Sequence, residues 1–499
     1  MKQGLQRILT VMVGIAVLLV VAAGWFLVKA MPIGTGYVAK YLCTSTFLSG
    51  RDPQTVFVED IKPVNPLTKV VRWKINPTNR TVTATAFTAF TAKAVYREGC
   101  GCTLMTDTAE AALRRQHFYQ PDDNDMKPEL TPDQPWPLGS GEPVDPRSLG
   151  VNASKLNKAL DEAFAEPGGN QLRQTRAVAV VYEGQLITER YAPGFGPDMP
   201  MLGWSMSKSV TNSLVGLLVG QGRLVLEDPA PVPEWRDPDD PRHEITLDQL
   251  MRMSSGLAFE ERYGPLADIT DMLFRSHDFG AFAAQSHLET PPDQKWNYSS
   301  GTANIIARIV RYEAEKTAPN DYQFFHENLF DRIGMTSLVL EPDPSGTFVG
   351  SSYAVATVRD WARFGLLYLQ DGVWNGERVL PEGWVQYSTT PTPKAPRGEY
   401  GALFWLNAGA PGNPDDRLWP HAPVDAYAAQ GFQEQKVIVI PSRNVVLVRF
   451  GATSERSAWD TDAFIAGVLQ ALPEKAPQVS SHDHECQPGT AQSTMQTVK

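Results

Sequence analysis

A serine becomes a useful nucleophile only when a neighbour takes its proton, and Ser205-Met206-Ser207-Lys208 sets an amine one helical turn from a hydroxyl. Residues three apart on a helix lie one above the other, so the Lys208 amine reaches the Ser205 oxygen. Partly desolvated there, the amine serves as the base that a free serine lacks. Unpaired N–H groups and the positive end of the following helix favour an anion at the same place. Serine-x-x-lysine is short, however, and a chain of 499 residues carries roughly one match by chance. Position adds weight. The motif opens a helix whose buried face is Val210, Leu214, Leu217 and Leu218, with Gly220 and Gly222 at its end.

A second constellation lies downstream. Asn297-Tyr298-Ser299-Ser300-Gly301 follows the Pro291-Pro292 corner and precedes a helix from about Thr302 to Ala314. A tyrosine held at such a junction near an ammonium has its ionised form favoured. It then takes the serine proton and later returns it to the leaving group. The competing reading is a packed aromatic beside a cap made by Ser299 and Gly301. Trp204 and Trp405 read as packed side chains, His277, His287 and His326 lack ligand spacing, and Asp248 and Asp271 have no paired carboxylate for acid–base work.

These residues need a frame. Ala177–Tyr182, a Glu183-Gly184 turn and Gln185–Tyr191 read as a hairpin before the serine motif. A second hairpin, Lys436–Ile440 and Val445–Phe450 around Pro441–Asn444, comes near the end, followed by a helix over Trp459–Leu472. Strands at both ends with helices over about 210–390 imply an α/β (α+β) fold. Its antiparallel sheet is flanked by helices and carries an inserted, mostly helical lobe. A crevice between the two is the expected substrate site.

The rest of the chain divides by composition. Residues 1–30 contain Ile8–Val28, an apolar run without a charge that is long enough to span a bilayer, preceded by Lys2 and Arg7. A cleaved signal segment is the rival, with Val28-Lys29-Ala30 as the cut, but the run is long for that role and Lys29 sits badly beside a cut. A retained anchor leaves the positive end cytoplasmic and the catalytic part periplasmic or extracellular. Residues 31–130 read as a separate, small, cysteine-containing β-rich segment. Outside the cytoplasm Cys43 is expected to form a disulfide with Cys102 or Cys100. A metal site there is disfavoured because Cys-Gly-Cys has no histidine close by. Residues 131–150 continue a proline-rich stretch that reads as a linker, and 151–473 form the catalytic domain. Residues 474–499 read as a disordered tail, within which His482-Asp483-His484-Glu485-Cys486 is the one metal-like cluster. A net charge of −11 with no basic run argues against nucleic acid as a partner.

Ser205-x-x-Lys208 and Tyr298-Ser299-Ser300, in this architecture, resemble the serine β-lactamase and penicillin-binding protein superfamily. The similarity is greatest to its class C-like branch of esterases, DD-peptidases and 6-aminohexanoate-dimer hydrolases. Thr246-Leu247-Asp248-Gln249-Leu250 and Ser254-Ser255-Gly256-Leu257 add to it, and the likeness covers roughly 150–470. The resemblance implies Ser205 as nucleophile, Lys208 and Tyr298 as proton shuttle, and Ser300 in the substrate-binding second motif. The β-lactamase Lys-Thr-Gly is absent. Its place holds Ala429-Gln430-Gly431-Phe432-Gln433-Glu434-Gln435, similar to the Gly-x-x-Gly-Gln form of the hydrolase branch, with Glu434 where a glycine is usual. This implies Gln430 and Gly431 beside substrate and an oxyanion hole from the Ser205 and Phe432 amides. The missing lysine removes the usual clamp for a substrate carboxylate. An ester or linear amide is therefore expected as substrate rather than a penicillin, with no metal or organic cofactor. A Gly-x-Ser-x-Gly elbow is excluded because Gly203-Trp204-Ser205-Met206-Ser207 lacks its final glycine. The non-enzymatic alternative is a silent module that binds peptidoglycan or a protein partner in the same cleft.

Overall fold

Nearly continuous apolar runs, buried along their whole length in the three central strands, build the sheet the sequence predicts. The computed structural model describes residues 2–64, 66–116, 118, 129–168 and 171–474; the tail cluster around Cys486 lies outside them. Six antiparallel strands run in the order Trp405–Leu406, Tyr427–Gly431, Gln435–Ile440, Val445–Gly451, Thr175–Tyr182 and Gln185–Tyr191. The two predicted hairpins join edge to edge, with Val446 opposite Val181 and Val448 opposite Ala179. Glu183 and Gly184 both take positive φ (51° and 74°), the backbone a two-residue hairpin turn demands.

Both faces of the sheet are covered. Val178, Val180, Ile438 and Leu447 pack against Leu156 and Leu160 of the helix Ala153–Phe164 and against Ile465 and Val468 of the helix Thr461–Leu469. On the opposite face lies the helix Val358–Leu369, where a Cβ on Gly365 would come within 2.5 Å of Val446. The helix Ser207–Gly220 sits behind it, buried along nearly its whole length. The lobe inserted between these elements contains the helices Leu247–Met251, Asp268–Arg275, Phe279–Ala284 and Ser300–Ala314.

The N-terminal segment has the expected apolar helix, strands and cysteine pair, but it does not stand apart from the rest. One continuous helix, Lys2–Phe47, is exposed from Leu5 to Val28 and buried from Ala30 to Ser45, apart from a half-buried Pro32. Its second half packs on a four-stranded meander (Val71–Asn76, Thr81–Ala86, Phe90–Arg97, Gly101–Leu104). That half also shares one hydrophobic core with the catalytic domain. Tyr37 meets Phe274 edge to face at 6.0 Å, so residues 30–104 are not a separate piece. Of the two open pairings, the disulfide joins Cys43 to Cys102, with Cα atoms 6.0 Å apart. Cys100 is left as a buried thiol, pushed up to about 12 chiefly by burial. Next to the disulfide, the Glu341 carboxylate is completely buried. It receives Lys40 Nζ, Thr44 Oγ1 at 2.9 Å and the Cys102 N–H at 2.7 Å. Gly101 is required there, since a Cβ would lie 2.7 Å from a Glu341 oxygen.

The expected linker is likewise fastened down. Trp136 is buried, and the carbonyls of Pro137 and Gly139 accept from Arg363 at 2.9 and 2.7 Å. Ser140 O accepts from Arg359 at 2.7 Å. Proline denies this stretch a ladder of its own, so guanidinium groups from the domain satisfy its carbonyls instead.

Candidate active site

Ser205 sits in a tight turn just ahead of the helix, rather than in its first turn as expected. Ser207 N–H donates to Trp204 O and Lys208 N–H to Ser205 O, at 3.0 and 3.1 Å. The regular helix begins at Ser207. The turn is clamped to the strand Ala354–Ala356: Gly203 N–H donates to Ala354 O at 2.8 Å and Ala354 N–H to Ser207 Oγ at 2.9 Å. Gly203 has no room for a side chain, because a Cβ would come 2.7 Å from Trp361. Trp204 takes φ +50°, a left-handed conformation that a bulky residue adopts only under external constraint. The constraint is aromatic. Its ring stacks with Tyr37 and Tyr41 of the N-terminal helix (6.4 and 5.9 Å) and meets Phe432 edge to face at 5.7 Å.

Lys208 is 1% exposed and its nitrogen has three neighbours: Ser205 Oγ at 3.2 Å, Ser300 Oγ at 3.0 Å and Ser351 O at 3.1 Å. Ser351 O can only accept. Ser300 Oγ donates its own proton to Glu261 Oε1 at 2.6 Å, so it too accepts from Lys208. Two N–H directions are therefore fixed, and in the neutral amine the remaining direction, toward Ser205, holds the lone pair.

The expected Ser300 role is corrected here. Its side chain is fully buried and joins Lys208 to Glu261 instead of lining a substrate cleft. Glu261 was not anticipated. Its carboxylate also accepts the Ser300 N–H at 2.8 Å, and burial pushes its pKa up while Lys208 pulls it back down. Glu261 is one of two adjacent acids before Arg262, and no spacing in the sequence marks it. Only the fold separates them: Glu260 pairs with Arg262, and Glu261 turns inward.

Tyr298 presents its ring face to Lys208, with the centroid 4.7 Å from Nζ. The ring is wedged against Trp405 and Tyr400 at 5.3 and 5.6 Å. Among the described residues its hydroxyl bonds to neither Ser205 nor Lys208. The strand Tyr427–Gly431 ends against the nucleophile turn, where a Cβ on Gly431 would fall 2.1 Å from Gly203 O. That brings the Phe432 backbone to the turn that carries Ser205. Gln430 is engaged elsewhere, its side-chain oxygen accepting from Lys436 Nζ at 2.6 Å. Glu434 has φ +65°, the conformation that a glycine adopts without strain. Among the described residues no group of three His, Cys, Asp or Glu side chains is placed to hold a metal ion.

Residues 160–469 match the family model described as Beta-lactamase. The 6-aminohexanoate-dimer hydrolase of Paenarthrobacter ureafaciens is 25% identical over 273 residues, covering 48% of this chain and 66% of that protein. Among solved structures, a Bacillus anthracis protein described as a candidate 6-aminohexanoate-dimer hydrolase superposes with a TM-score of 0.50 at 22% identity. That superposition covers 64% of this chain and 83% of the other. A family VIII carboxylesterase gives a TM-score of 0.49 at 14% identity, over 64% and 98% of the two chains. With the family model spanning more than half of its length, this chain belongs to the β-lactamase family.

Proposed function

We propose that the protein is a membrane-anchored serine hydrolase that cleaves an ester or linear amide through an acyl-enzyme on Ser205. The observation that carries this reading is the buried Lys208 amine, with two of its directions taken by obligate acceptors and the third facing Ser205 Oγ at 3.2 Å. Oγ attacks the substrate carbonyl carbon as its proton passes to Nζ, and the carbonyl oxygen gains the charge. The amides of Ser205 and Phe432 receive that oxyanion. The new ammonium is held by Ser300 and Ser351, with the Glu261 carboxylate behind Ser300. As the bond to the leaving group breaks, the Lys208 ammonium, against which the Tyr298 ring packs, gives its proton to the departing oxygen or nitrogen. Water then repeats the sequence on the acyl-enzyme and frees the acid.

The relative named for an amide substrate supports a linear amide, and an ester presents the same carbonyl. Lys436, on the strand beside Gln430, is taken up by Glu434 at 3.0 Å and by Gln430, and so offers no free clamp for a penicillin carboxylate. The exposed apolar half of the N-terminal helix supports anchoring, with Arg7 on the cytoplasmic side and the catalytic domain on the other. Labelling the full chain with a fluorophosphonate and mapping the modified peptide tests the assignment. Label is expected on Ser205 and absent from Ser205→Ala; label elsewhere, or undiminished in the variant, overturns it. A silent binding module would hydrolyse short p-nitrophenyl esters no faster than Ser205→Ala.

A further inference from the structure

The helix that enters the membrane is the helix that braces the nucleophile. Between Val28, the last exposed residue, and Ala30, the first buried one, there is no loop and no change of element. Leu5–Val28 extends about 36 Å at helical rise, enough for a hydrocarbon core of about 30 Å. Val28 therefore marks the edge of the bilayer, and the folded domain begins at once. Pro32 lacks the N–H that the Val28 carbonyl would otherwise receive, which leaves that carbonyl open to water or headgroups at this level. Lys29 is half-buried at the same boundary. Lys69 lies exposed on the turn whose Leu67 packs 3.2 Å from the Cβ position of Gly34, so two positive charges sit near the headgroups.

Tyr37, which stacks on Trp204, lies nine residues past Val28, about 14 Å along the axis. The headgroup layer accounts for about 5–7 Å of that distance. The side of the site adjoining this helix is apolar. Phe432 packs on Trp204, Tyr263 stacks on Phe432 at 6.0 Å, and these residues remain 38% and 52% exposed. Leu266, 49% exposed, stands just before the helix Asp268–Arg275, whose Phe274 lies 3.2 Å from the Cβ position of Gly36. An apolar ledge of Trp204, Phe432 and Tyr263 thus adjoins Ser205 beside the N-terminal helix, with the exposed Leu266 three residues past Tyr263.

We infer that the substrate is an amphiphile: an ester or amide whose long acyl chain stays in or against the bilayer while its carbonyl reaches Ser205. The inference rests on the Ser205 hydrolase reading and adds the class of acyl group. A rigid, short stalk keeps the ledge at the membrane surface, and the ledge shields the emerging chain from water.

The test uses the full-length chain in phosphatidylcholine–phosphatidylglycerol vesicles, with p-nitrophenyl palmitate in the bilayer and p-nitrophenyl butyrate in solution. In one variant a Gly/Ser linker of about 20 residues between Val28 and Lys29 lets the domain wander by roughly 25 Å. In a second, Leu266→Asn removes apolar surface at a positive-φ position that asparagine tolerates. The linker is expected to cut palmitate hydrolysis by at least about tenfold, through lost effective concentration and orientation, and Leu266→Asn by several-fold; both should leave butyrate hydrolysis unchanged. Palmitate hydrolysis that is insensitive to both changes overturns the inference. So does a wild-type protein that cleaves butyrate but ignores palmitate, a result that leaves the hydrolase reading standing. Failure to cleave either ester overturns both.

Discussion

Glu261→Gln isolates the electrostatic support of the proposed base while keeping the side chain's shape. Two hydrogen bonds, 3.0 Å from Lys208 to Ser300 and 2.6 Å from Ser300 to Glu261, bring the carboxylate within about 5.6 Å of Nζ. At an effective dielectric of about 20, unit charges at that distance attract by about 3 kcal/mol, a rate factor of about 100. Solvent reaching the partly buried carboxylate screens part of this, so kcat is expected to fall by about 10- to 100-fold with KM little changed. Because burial holds the Glu261 carboxyl above its ordinary range, its ionisation contributes to the acid limb of the wild-type pH profile, and that limb should flatten in the variant. Hydrolysis of p-nitrophenyl butyrate across pH gives both readouts. A kcat within about threefold of wild type, on an unchanged profile, would refute the coupling of Glu261 to Lys208.

Other expectations follow from the same contacts. Glu341→Ala strands the buried Lys40 and costs about 3–5 kcal/mol, which in a unit of several hundred residues lowers Tm by about 3–5 °C; adding Lys40→Met should recover part of the loss, and an unchanged Tm would contradict a buried pair that joins the helix to the domain. Removing residues 2–28 should leave butyrate hydrolysis intact, whereas removing residues 2–47 should abolish it, because Tyr37 and Tyr41 no longer hold Trp204; full activity in the longer deletion would contradict the brace. Burial raises Asp321 to about 7 and Asp343 to about 6. Both keep protons in the folded state that the unfolded chain releases, so the stability they add is complete below about pH 4 and lost as pH rises through about 6–7. Asp321→Asn should therefore raise Tm at pH 8 and leave it little changed at pH 4, with an upper bound of about 4 kcal/mol; an equal shift at both pH values would contradict this assignment.

What the sequence revealed and what it concealed divide along physical lines. The two hairpins were legible because their apolar runs and turn residues are local, as with Glu183-Gly184. The spacing of Ser205 and Lys208 was legible because one helical turn is local too. Ser300 and Glu261 were not, since their roles depend on which way a buried hydroxyl points and on a loop some forty residues earlier in the chain. Only the first half of the N-terminal helix was legible, because hydropathy detects the apolar run Ile8–Val28 and is blind to the continuation of the same helix into protein contact at Ala30. Proline content made 131–150 look free, but its anchors, Arg359 and Arg363, are more than two hundred residues away.

The central claim is that Ser205 is acylated during turnover. Rapid mixing of the full-length protein with p-nitrophenyl butyrate, quenching in acid and peptide mapping by mass spectrometry tests it most directly. The account predicts a burst of p-nitrophenol and one butyryl group on Ser205, both absent from Ser205→Ala. Steady turnover with no adduct on that peptide, or a butyryl group on another residue, would contradict it.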